Sequence, residues 1–259
     1  MPKVMVVTPT YNEAKNLPLL VEALFALPVD NLYLLVVDDN SPDGTGKIAE
    51  ELAAHHPGKI QVLHRKDKAG LGPAYIAGFK EALRLDADMI IQMDADFSHQ
   101  PMYLPEMLKA IEHSDLVIGS RYVKGGSVDE RWGIYRKLLS WFANRVYTPL
   151  ILGIPVYDAT AGYRCWRRHT LIGVDLDRIR SNGYVFQVEM AYIACRLGFR
   201  VKEIPIHFPD RKYGESKMSP LIALEAALRV WQLMFRHRAL TPKQRRTEPY
   251  TLREADLRG

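Results

Sequence analysis

The stretch that decides the fold reads Met-Ile-Ile-Gln-Met-Asp-Ala-Asp at residues 89–96. A short, nearly continuous apolar run of this kind is typical of a strand in a parallel sheet that helices cover on both faces. Asp94 and Asp96 end the run, so we expect their carboxylates at the carboxyl end of a buried strand. Ligands bind at that edge in open α/β sheets.

Other apolar runs, which we read as strands, occur at residues 4–7, 32–37, 60–63 and 116–118. Helical patterns lie between the runs, at about residues 14–26, 46–55, 72–85 and 103–113. Strands that alternate with amphipathic helices predict an α/β fold with a mainly parallel sheet and helices on both faces. A further amphipathic helix is predicted at about residues 220–236.

Asp94 and Asp96 are the central chemical signal. Two carboxylates one residue apart at a strand end can hold a divalent cation, which would neutralise a diphosphate as it leaves. Hard oxygen donors favour Mg²⁺ or Mn²⁺ over zinc, and the following Ser98 and His99 add potential ligands. The alternative is that the pair only caps a helix or solvates a turn.

Polar residues also follow the first two strands, at residues 8–13 and 38–45. A carboxylate at such a strand end can accept hydrogen bonds from the hydroxyl groups of a nucleotide, and we assign Asp39 to that role. The alternative is that residues 38–45 form only a turn, in which Asp43 or Thr45 caps the next helix. Both interpretations can hold together, with Asp43 and Thr45 serving the backbone.

The glycines of residues 70–72 (GLG) do not complete a dinucleotide fingerprint, because the third glycine of G-x-G-x-x-G is missing. A Rossmann dehydrogenase is therefore disfavoured. Basic residues suited to phosphate oxygens follow a strand at Arg121 and recur in the loop at residues 210–217. The alternative for these cations is a solvated charged face.

Glu189 lies in a predicted helical stretch that mixes apolar and polar residues, at 183–190. It fits either a core carboxylate that pairs with an arginine or a ligand for a sugar hydroxyl. The sequence does not decide between the two.

A length of 259 residues with 47% hydrophobic composition is enough for one sizeable core. We expect one domain over residues 1–240 and a polar C-terminal tail over residues 241–259. Cys165 and Cys195 lack C-x-x-C spacing, which gives no support to a disulfide framework or a structural zinc site. A reducing cytoplasm fits this cysteine usage.

The first residues run into an apolar strand without the basic start and cleavage site of a secretory signal. Uncharged apolar stretches stay shorter than the roughly 20 residues that a spanning helix needs, so we expect no membrane crossing. The net charge of +5 is compatible with an anionic surface or a phosphate-bearing substrate. Such a small excess is also common in proteins that bind neither, and it decides nothing alone.

The polar motifs occur in a fixed order between about residues 3 and 235. They are residues 9–13 (PTYNE), 38–45 (DDNSPDGT), 70–72 (GLG), 94–99 (DADFSH), 119–122 (GSRY) and 213–218 (YGESKM). Each motif is weak alone, but the ordered set is specific. The chain resembles the dolichol-phosphate (polyprenol-phosphate) mannose synthases of glycosyltransferase family 2.

The resemblance implies a GT-A fold, the nucleotide-diphospho-sugar transferase fold, and transfer of mannose from GDP-mannose to a polyprenyl phosphate with inversion. It implies that the guanosine lies among Pro9, Tyr11, Glu13, Val37 and Asp39. It places along the diphosphate and an Mg²⁺ or Mn²⁺ ion the residues Asp94, Ala95, Asp96 and Ser98. It assigns phosphate contacts to Arg121, Arg211 and Lys217. Some relatives carry Gln at the position of Ser98, which leaves open whether this hydroxyl binds the metal directly or through water.

The implied acceptor is an anion at neutral pH, so its oxygen can attack the anomeric carbon without a strong general base. Catalysis would then depend on positioning and on charge stabilisation of the departing GDP, by the metal and by basic residues. Asp94, Asp96, Arg121, Arg211 and Lys217 are the catalytic residues that this mechanism implies.

The implied lipid acceptor makes a membrane surface the expected partner, whereas nucleic acid is not expected. Residues 131–147 mix aromatic, apolar and basic side chains, including Trp132 and Trp141, as an interfacial helix does. Residues 219–238 show a similar mixture. The alternative for both segments is a stripe that packs on the sheet. We expect peripheral association with the cytoplasmic face of a membrane, and a membrane-embedded partner protein is a further candidate.

Other functions remain open at this point. A related transferase that uses UDP-glucose or another nucleotide sugar would carry the same D-x-D motif. A catalytically silent nucleotide-binding subunit is less consistent with the intact acidic and basic motifs. A processive polysaccharide synthase is disfavoured, because the Q-x-x-R-W motif is absent after Gln232.

Overall fold

The computed structural model describes residues 1–210 and 220–250 of the chain. Its strands are β1 (Val4–Thr10), β2 (Leu32–Asp38), β3 (Ile60–His64), β4 (Met89–Gln92), β5 (Leu116–Ser120), β6 (Ser127–Val128), β7 (Arg164–Arg167), β8 (Val201–Pro205) and β9 (His207–Phe208). Its α-helices are α1 (Leu17–Phe25), α2 (Thr45–His55), α3 (Leu71–Arg84), α4 (Leu104–Ile111), α5 (Ile134–Phe142), α6 (Thr148–Leu152), α7 (Arg168–Val174), α8 (Gly183–Arg196) and α9 (Pro220–His237). The strands and helices predicted from periodicity are confirmed, with ends that shift by a few residues.

The main sheet of the described chain has the strand order β3-β2-β1-β4-β7-β5-β8. The chain builds outward from β1 to β3 and then returns to place β4 on the other side of β1, in parallel. The strand order therefore reverses between β1 and β4. In open α/β sheets, a crevice for ligands forms outside the carboxyl ends of the strands at such a point.

Alternation along β1 shows why the sheet is covered on both faces. Val4 and Val6 belong to the core that α1, α2 and α4 cover. Met5 and Val7 belong to the opposite core, which contains α3, α7 and α8. Successive side chains of a strand point to opposite faces, so a strand that is apolar at every position has to be buried on both. The predicted mainly parallel sheet with helices on both faces is confirmed.

The sequence pattern does not predict strand β7. It pairs antiparallel with both β4 and β5, so Gln92 lies opposite Arg164. Because β7 runs the opposite way, its first residue lies near the ends of β4 and β5. The segment that precedes Arg164 thus enters the molecule at the carboxyl edge of the sheet.

The stretch at residues 131–147 divides into a buried start and an exposed helix. Trp132 is buried against the ring of Phe208, with the guanidinium of Arg136 3.5 Å from its ring centroid. The expectation that Trp132 faces a membrane is wrong, because protein atoms cover its ring. Helix α5 has no buried residue, so the alternative of a stripe packed on the sheet does not apply to it. A π-helical turn at Ala143–Tyr147 follows α5.

Helix α9 has two faces. Val230 and Leu233 are buried in the core, whereas Trp231 and Phe235 are exposed. The two interpretations of this segment therefore each apply to one side of the helix. Within the described residues, no helix has both the length and the hydropathy that a bilayer crossing requires.

Residues 241–250 form the described part of the expected tail, and they pack back on the domain. Arg245 donates hydrogen bonds to the carbonyl oxygens of Leu197 and Gly198, and Arg246 pairs with Asp175. The hydroxyl of Tyr250 accepts the N–H of Leu176. This part of the segment is a docked extension of the domain.

Candidate active site

An open cleft of about 210 Å³ lies at the point where the strand order reverses. Its walls are Pro9, Thr10, Tyr11, Glu13, Asp39, Lys68, Gly70, Leu71, Ala74, Asp94, Ala95 and Asp96. Loops from the ends of β1, β2 and β4 thus meet in one cavity, as the position of the polar motifs predicts. Carboxylates from different strand ends face the same space, which suits a ligand with several polar groups.

The other predicted site residues lie elsewhere. Val37 belongs to the core cluster that also contains Tyr75. Among the described residues, the cleft walls include neither Val37, Ser98 nor Arg121. Arg211 and Lys217 lie outside the described residues.

Asp94 and Asp96 lie just beyond β4. The N–H of Met93 still donates to the carbonyl oxygen of Val7 in β1, and the chain leaves the sheet after this residue. The hydroxyl of Tyr75 donates to Oδ1 of Asp94 at 2.5 Å. The backbone N–H and the hydroxyl of Ser98 donate to Oδ1 of Asp96, at 3.0 and 2.6 Å. Ser98 therefore orients Asp96 in this structure.

The oxygen donors at this strand end are the carboxylates of Asp94 and Asp96. In residues 1–210 and 220–250, no group of three or more His, Cys, Asp or Glu side chains is arranged to hold a metal ion by itself. Mg²⁺ is usually held by one or two carboxylates together with substrate phosphates and water. A pair of carboxylates at the wall of an open cleft fits that mode of binding.

Asp39 lies at the end of β2 beside a buried arginine. Nη1 of Arg65 donates to Oδ1 of Asp39 at 2.5 Å, and both side chains are almost fully buried. Burial raises the pKa of the Asp39 carboxyl even though Arg65 acts in the opposite direction. Further hydrogen-bond donors from a ligand would stabilise the charged form of Asp39.

The loop between β1 and α1 is held by residues of the β2–α2 turn. The N–H of Glu13 donates to Oγ1 of Thr45, and the N–H of Ala14 donates to a carboxylate oxygen of Asp43. Oγ1 of Thr45 also donates to Asp43 at 2.6 Å. Asp43 and Thr45 thus bind backbone N–H groups, as expected, and these contacts fix the position of Glu13 at the cleft. The expected capping of α2 by one of them is wrong, because the N-cap of that helix is Gly44 and no side chain caps it.

Lys68 and the glycine loop are part of the cleft that the sequence did not reveal. Nζ of Lys68 lies 3.4 Å from the ring centroid of Tyr11. Gly70 has a φ of +103°, a conformation that L side chains rarely adopt. The side chain of Asn182 holds this loop by accepting the N–H of Gly72 and donating to the carbonyl of Ala69. The only sequence signal was the pair of glycines, whereas Asn182 is 110 residues from Gly72.

Arg121 lies at the end of β5 and makes a buried ion pair with Asp158. Asp158 accepts the N–H, Nε and Nη2 of Arg121 at 2.6–2.8 Å, and Thr160 accepts from Nη2 as well. Burial alone would lower the pKa of Arg121, but the charge of Asp158 more than offsets this and raises it. The guanidinium is therefore a fixed positive charge, already engaged by the protein. Phosphate binding by Arg121 stays a prediction.

Glu189 is a buried structural carboxylate in this structure. Its oxygens accept the N–H groups of Arg180 and Ser181, and Nε2 of His237 lies 2.8 Å away. Burial raises the pKa of Glu189, but these hydrogen bonds outweigh it and the net pKa is lowered. Of the two interpretations, the structure favours the core carboxylate, with His237 as its main partner and Arg236 at 3.4 Å.

Known proteins have sequences similar to this one along most of the chain. The chain is 48% identical over 241 residues to an undecaprenyl-phosphate mannosyltransferase of Micrococcus luteus, covering 92% of this chain and 97% of that protein. It is 46% identical over 230 residues to a polyprenol monophosphomannose synthase of Mycolicibacterium smegmatis, covering 88% and 85%.

Solved structures share the fold at low sequence identity. The crystal structure of mannosyl-3-phosphoglycerate synthase from Rubrobacter xylanophilus matches with a TM-score of 0.63 and 18% identity, covering 98% of this chain and 79% of that chain. The expected GT-A architecture is confirmed. The sequence model for glycosyl transferase family 2 matches residues 5–171. With this match over more than half of its length and relatives of nearly half identity, the chain belongs to glycosyl transferase family 2.

Proposed function

We propose that this glycosyltransferase moves mannose from GDP-mannose to a polyprenyl phosphate, with inversion at the anomeric carbon. The single observation that carries the proposal is the meeting of Asp39, Asp94 and Asp96 in one cleft at the reversal of strand order. The names of the Micrococcus and Mycolicibacterium relatives support a polyprenyl acceptor and mannose as the sugar.

The donor nucleotide lies between the ends of β1 and β2 in this proposal. The ring of Tyr11 offers a stacking surface for the base, and Asp39 accepts hydrogen bonds from nucleotide hydroxyl or amine groups. Lys68, which lies over Tyr11, can pair with a phosphate as a point charge. Pro9 and Glu13 complete this wall of the cleft.

Asp94 and Asp96 would hold an Mg²⁺ or Mn²⁺ ion together with the donor diphosphate. When bound, the ion supplies charge neutralisation for the departing GDP. Ser98 keeps Asp96 in place by two hydrogen bonds. The acceptor phosphate is an anion and needs no strong base to remove a proton. Asp96 can therefore serve as a metal ligand instead of a general base. Arg121, Arg211 and Lys217 remain the proposed contacts for phosphate groups.

The acceptor is a membrane lipid, and the exposed apolar face of the domain suits a peripheral approach to a membrane surface. In α5, the side chains of Ile134, Leu138 and Trp141 are exposed, and α9 adds Trp231 and Phe235. Basic residues lie on the same elements, as in helices that rest on anionic headgroups.

This exposed segment is tied to the sheet edge. The hydroxyl of Tyr122 donates to Oγ of Ser140 at 2.6 Å, and the N–H of Thr160 donates to Oδ1 of Asn144. Tyr122 follows Arg121, so α5 is joined directly to a residue that we propose as a phosphate contact. We propose peripheral binding at the cytoplasmic face.

The test is to incubate the purified chain with Mn²⁺, a panel of labelled sugar nucleotides and a polyprenyl phosphate in vesicles, and to measure the label that becomes lipid-extractable. GDP-mannose is expected to be the preferred donor, and UDP-glucose as the preferred donor would overturn the assignment of the sugar. Asp96→Asn is expected to lower transfer by at least about 100-fold. The exposed Asp30→Asn serves as the matched control, with activity close to that of the unchanged chain.

A further inference from the structure

Tyr75 is a buried tyrosine whose hydroxyl group reaches the proposed donor site. It lies in α3 with 0% of its surface exposed, and its hydroxyl donates to Oδ1 of Asp94 at 2.5 Å. A hydrogen bond from a hydroxyl to a carboxylate at this distance is in the short, charge-assisted range. The contact crosses from a core helix to a strand end.

Aromatic packing fixes the position of the Tyr75 ring. Phe79, one turn along α3, stacks on it with centroids 5.5 Å apart. Phe186 of α8 lies parallel to it, with an interplanar angle of 3° and centroids 6.1 Å apart. The ring therefore has little freedom, and the hydroxyl is held at one place relative to β4.

The backbone of Asp94 is held from the other side by His99. Nδ1 of His99 accepts the N–H of Asp94 at 2.9 Å. Among residues 1–210 and 220–250, the Tyr75 hydroxyl donates to Oδ1 of Asp94, and no side chain or backbone N–H donates to Oδ2. This leaves Oδ2 for the cleft, whose wall includes Asp94.

We propose that Tyr75 is a positioning residue of the donor site: by holding one oxygen of Asp94, it directs the other toward a divalent cation bound with the nucleotide diphosphate. The inference rests on the proposed function, because it assumes a cation at Asp94. It goes beyond that function by assigning a role to a side chain that does not line the cleft. Outer-shell partners of this kind typically change metal affinity 10- to 100-fold when they are removed.

Tyr75→Phe tests the proposal, because it keeps the stacked ring and removes only the hydroxyl. Tyr163→Phe is the matched control, since Tyr163 is equally buried, stacks on His99, and its hydroxyl has no hydrogen-bond partner in the described structure. Binding of Mn²⁺ in the presence of GDP is measured by electron paramagnetic resonance for the unchanged chain and both variants. Circular dichroism checks that all three fold.

We expect Tyr75→Phe to weaken Mn²⁺ binding by about 10-fold or more and Tyr163→Phe to change it by less than about 2-fold. Equal Mn²⁺ affinity of the Tyr75→Phe variant and the unchanged chain would overturn the positioning role and leave the proposed function standing. No Mn²⁺ binding by the unchanged chain would overturn the metal assignment itself, and the role of Tyr75 with it.

Discussion

Replacement of Asp158 by alanine is expected to destabilise the domain strongly, because it leaves the Arg121 guanidinium buried without a counter-charge. The side chain of Asp158 is 0% exposed and that of Arg121 is 9% exposed. The carboxylate of Asp158 accepts three hydrogen bonds from Arg121. In Asp158→Ala, Thr160 is the one residue within 1–210 and 220–250 that continues to accept from the guanidinium.

The magnitude follows from the burial of this pair. Removing one partner of a buried ion pair costs about 3–5 kcal/mol, since the remaining charge stays in a poorly solvated place. For a domain of this size, each 1 kcal/mol lowers the melting temperature by roughly 2–4 °C. We therefore expect a fall of about 10 °C. A loss of this size is a large share of the roughly 5–15 kcal/mol that holds a domain folded.

The measurement is urea denaturation followed by tryptophan fluorescence. The control is Glu51→Ala, because Glu51 pairs with Lys47 while both side chains are exposed, by 59% and 84%; exposed pairs contribute about 1 kcal/mol at most. The double variant Arg121→Met with Asp158→Ala removes both charges, and we expect it to be more stable than Asp158→Ala alone. A loss below about 1 kcal/mol in Asp158→Ala, or a double variant that is less stable than the single one, would refute the reasoning.

Two further predictions concern the membrane face and pH. The side chains of Leu138 and Trp141 are 60% and 48% exposed. Replacing both by serine is expected to weaken binding to anionic vesicles, measured by sedimentation, by about 2 kcal/mol, or roughly 30-fold. Unchanged binding, or an equal loss in the control Met102→Ser, would contradict a membrane role for α5. Burial raises the pKa of Asp115, but hydrogen bonds from Arg200 outweigh it and lower the pKa to about 2. The ionised carboxylate of Asp115 therefore stabilises the fold above about pH 4, and this stabilisation is lost as the pH falls toward 2. Because Arg200 is exposed, we expect the unchanged chain to exceed Asp115→Asn in unfolding free energy by about 1 kcal/mol at the upper end of this window, and this difference should shrink toward pH 2. A difference that stays constant with pH would contradict the role of Asp115.

The parallel part of the fold could be predicted because its sequence pattern has one cause. A strand that is buried on both faces must be apolar at every position, and residues 4–7 and 32–37 satisfy this rule. The cleft could be predicted for the same reason, since the polar residues that interrupt these runs must lie at strand ends. Asp39, Asp94 and Asp96 meet in one cavity as this reasoning requires.

The surroundings of Trp132 and Tyr75 could not be predicted, because their partners come from distant parts of the chain. The residues around Trp132 in the sequence are typical of an interfacial helix, yet Phe208 packs against its ring. Tyr75 has an ordinary place in a helical pattern, yet its hydroxyl reaches Asp94. Periodicity reports which face of an element is buried, but it does not report which side chains meet there.

Strand β7 explains how the two sides of the site are joined. Its residues, Arg-Cys-Trp-Arg, show no strand pattern, because two of them are arginines that satisfy backbone carbonyl groups. Since β7 runs antiparallel to β4 and β5, residues 158–163 enter at the carboxyl edge of the sheet. There Asp158 holds Arg121, and Gly162 lies so close to His99 that a Cβ atom would come within 2.9 Å of its ring. His99 in turn accepts the N–H of Asp94, so a single inserted segment contacts the supports of both the proposed phosphate side and the proposed metal side.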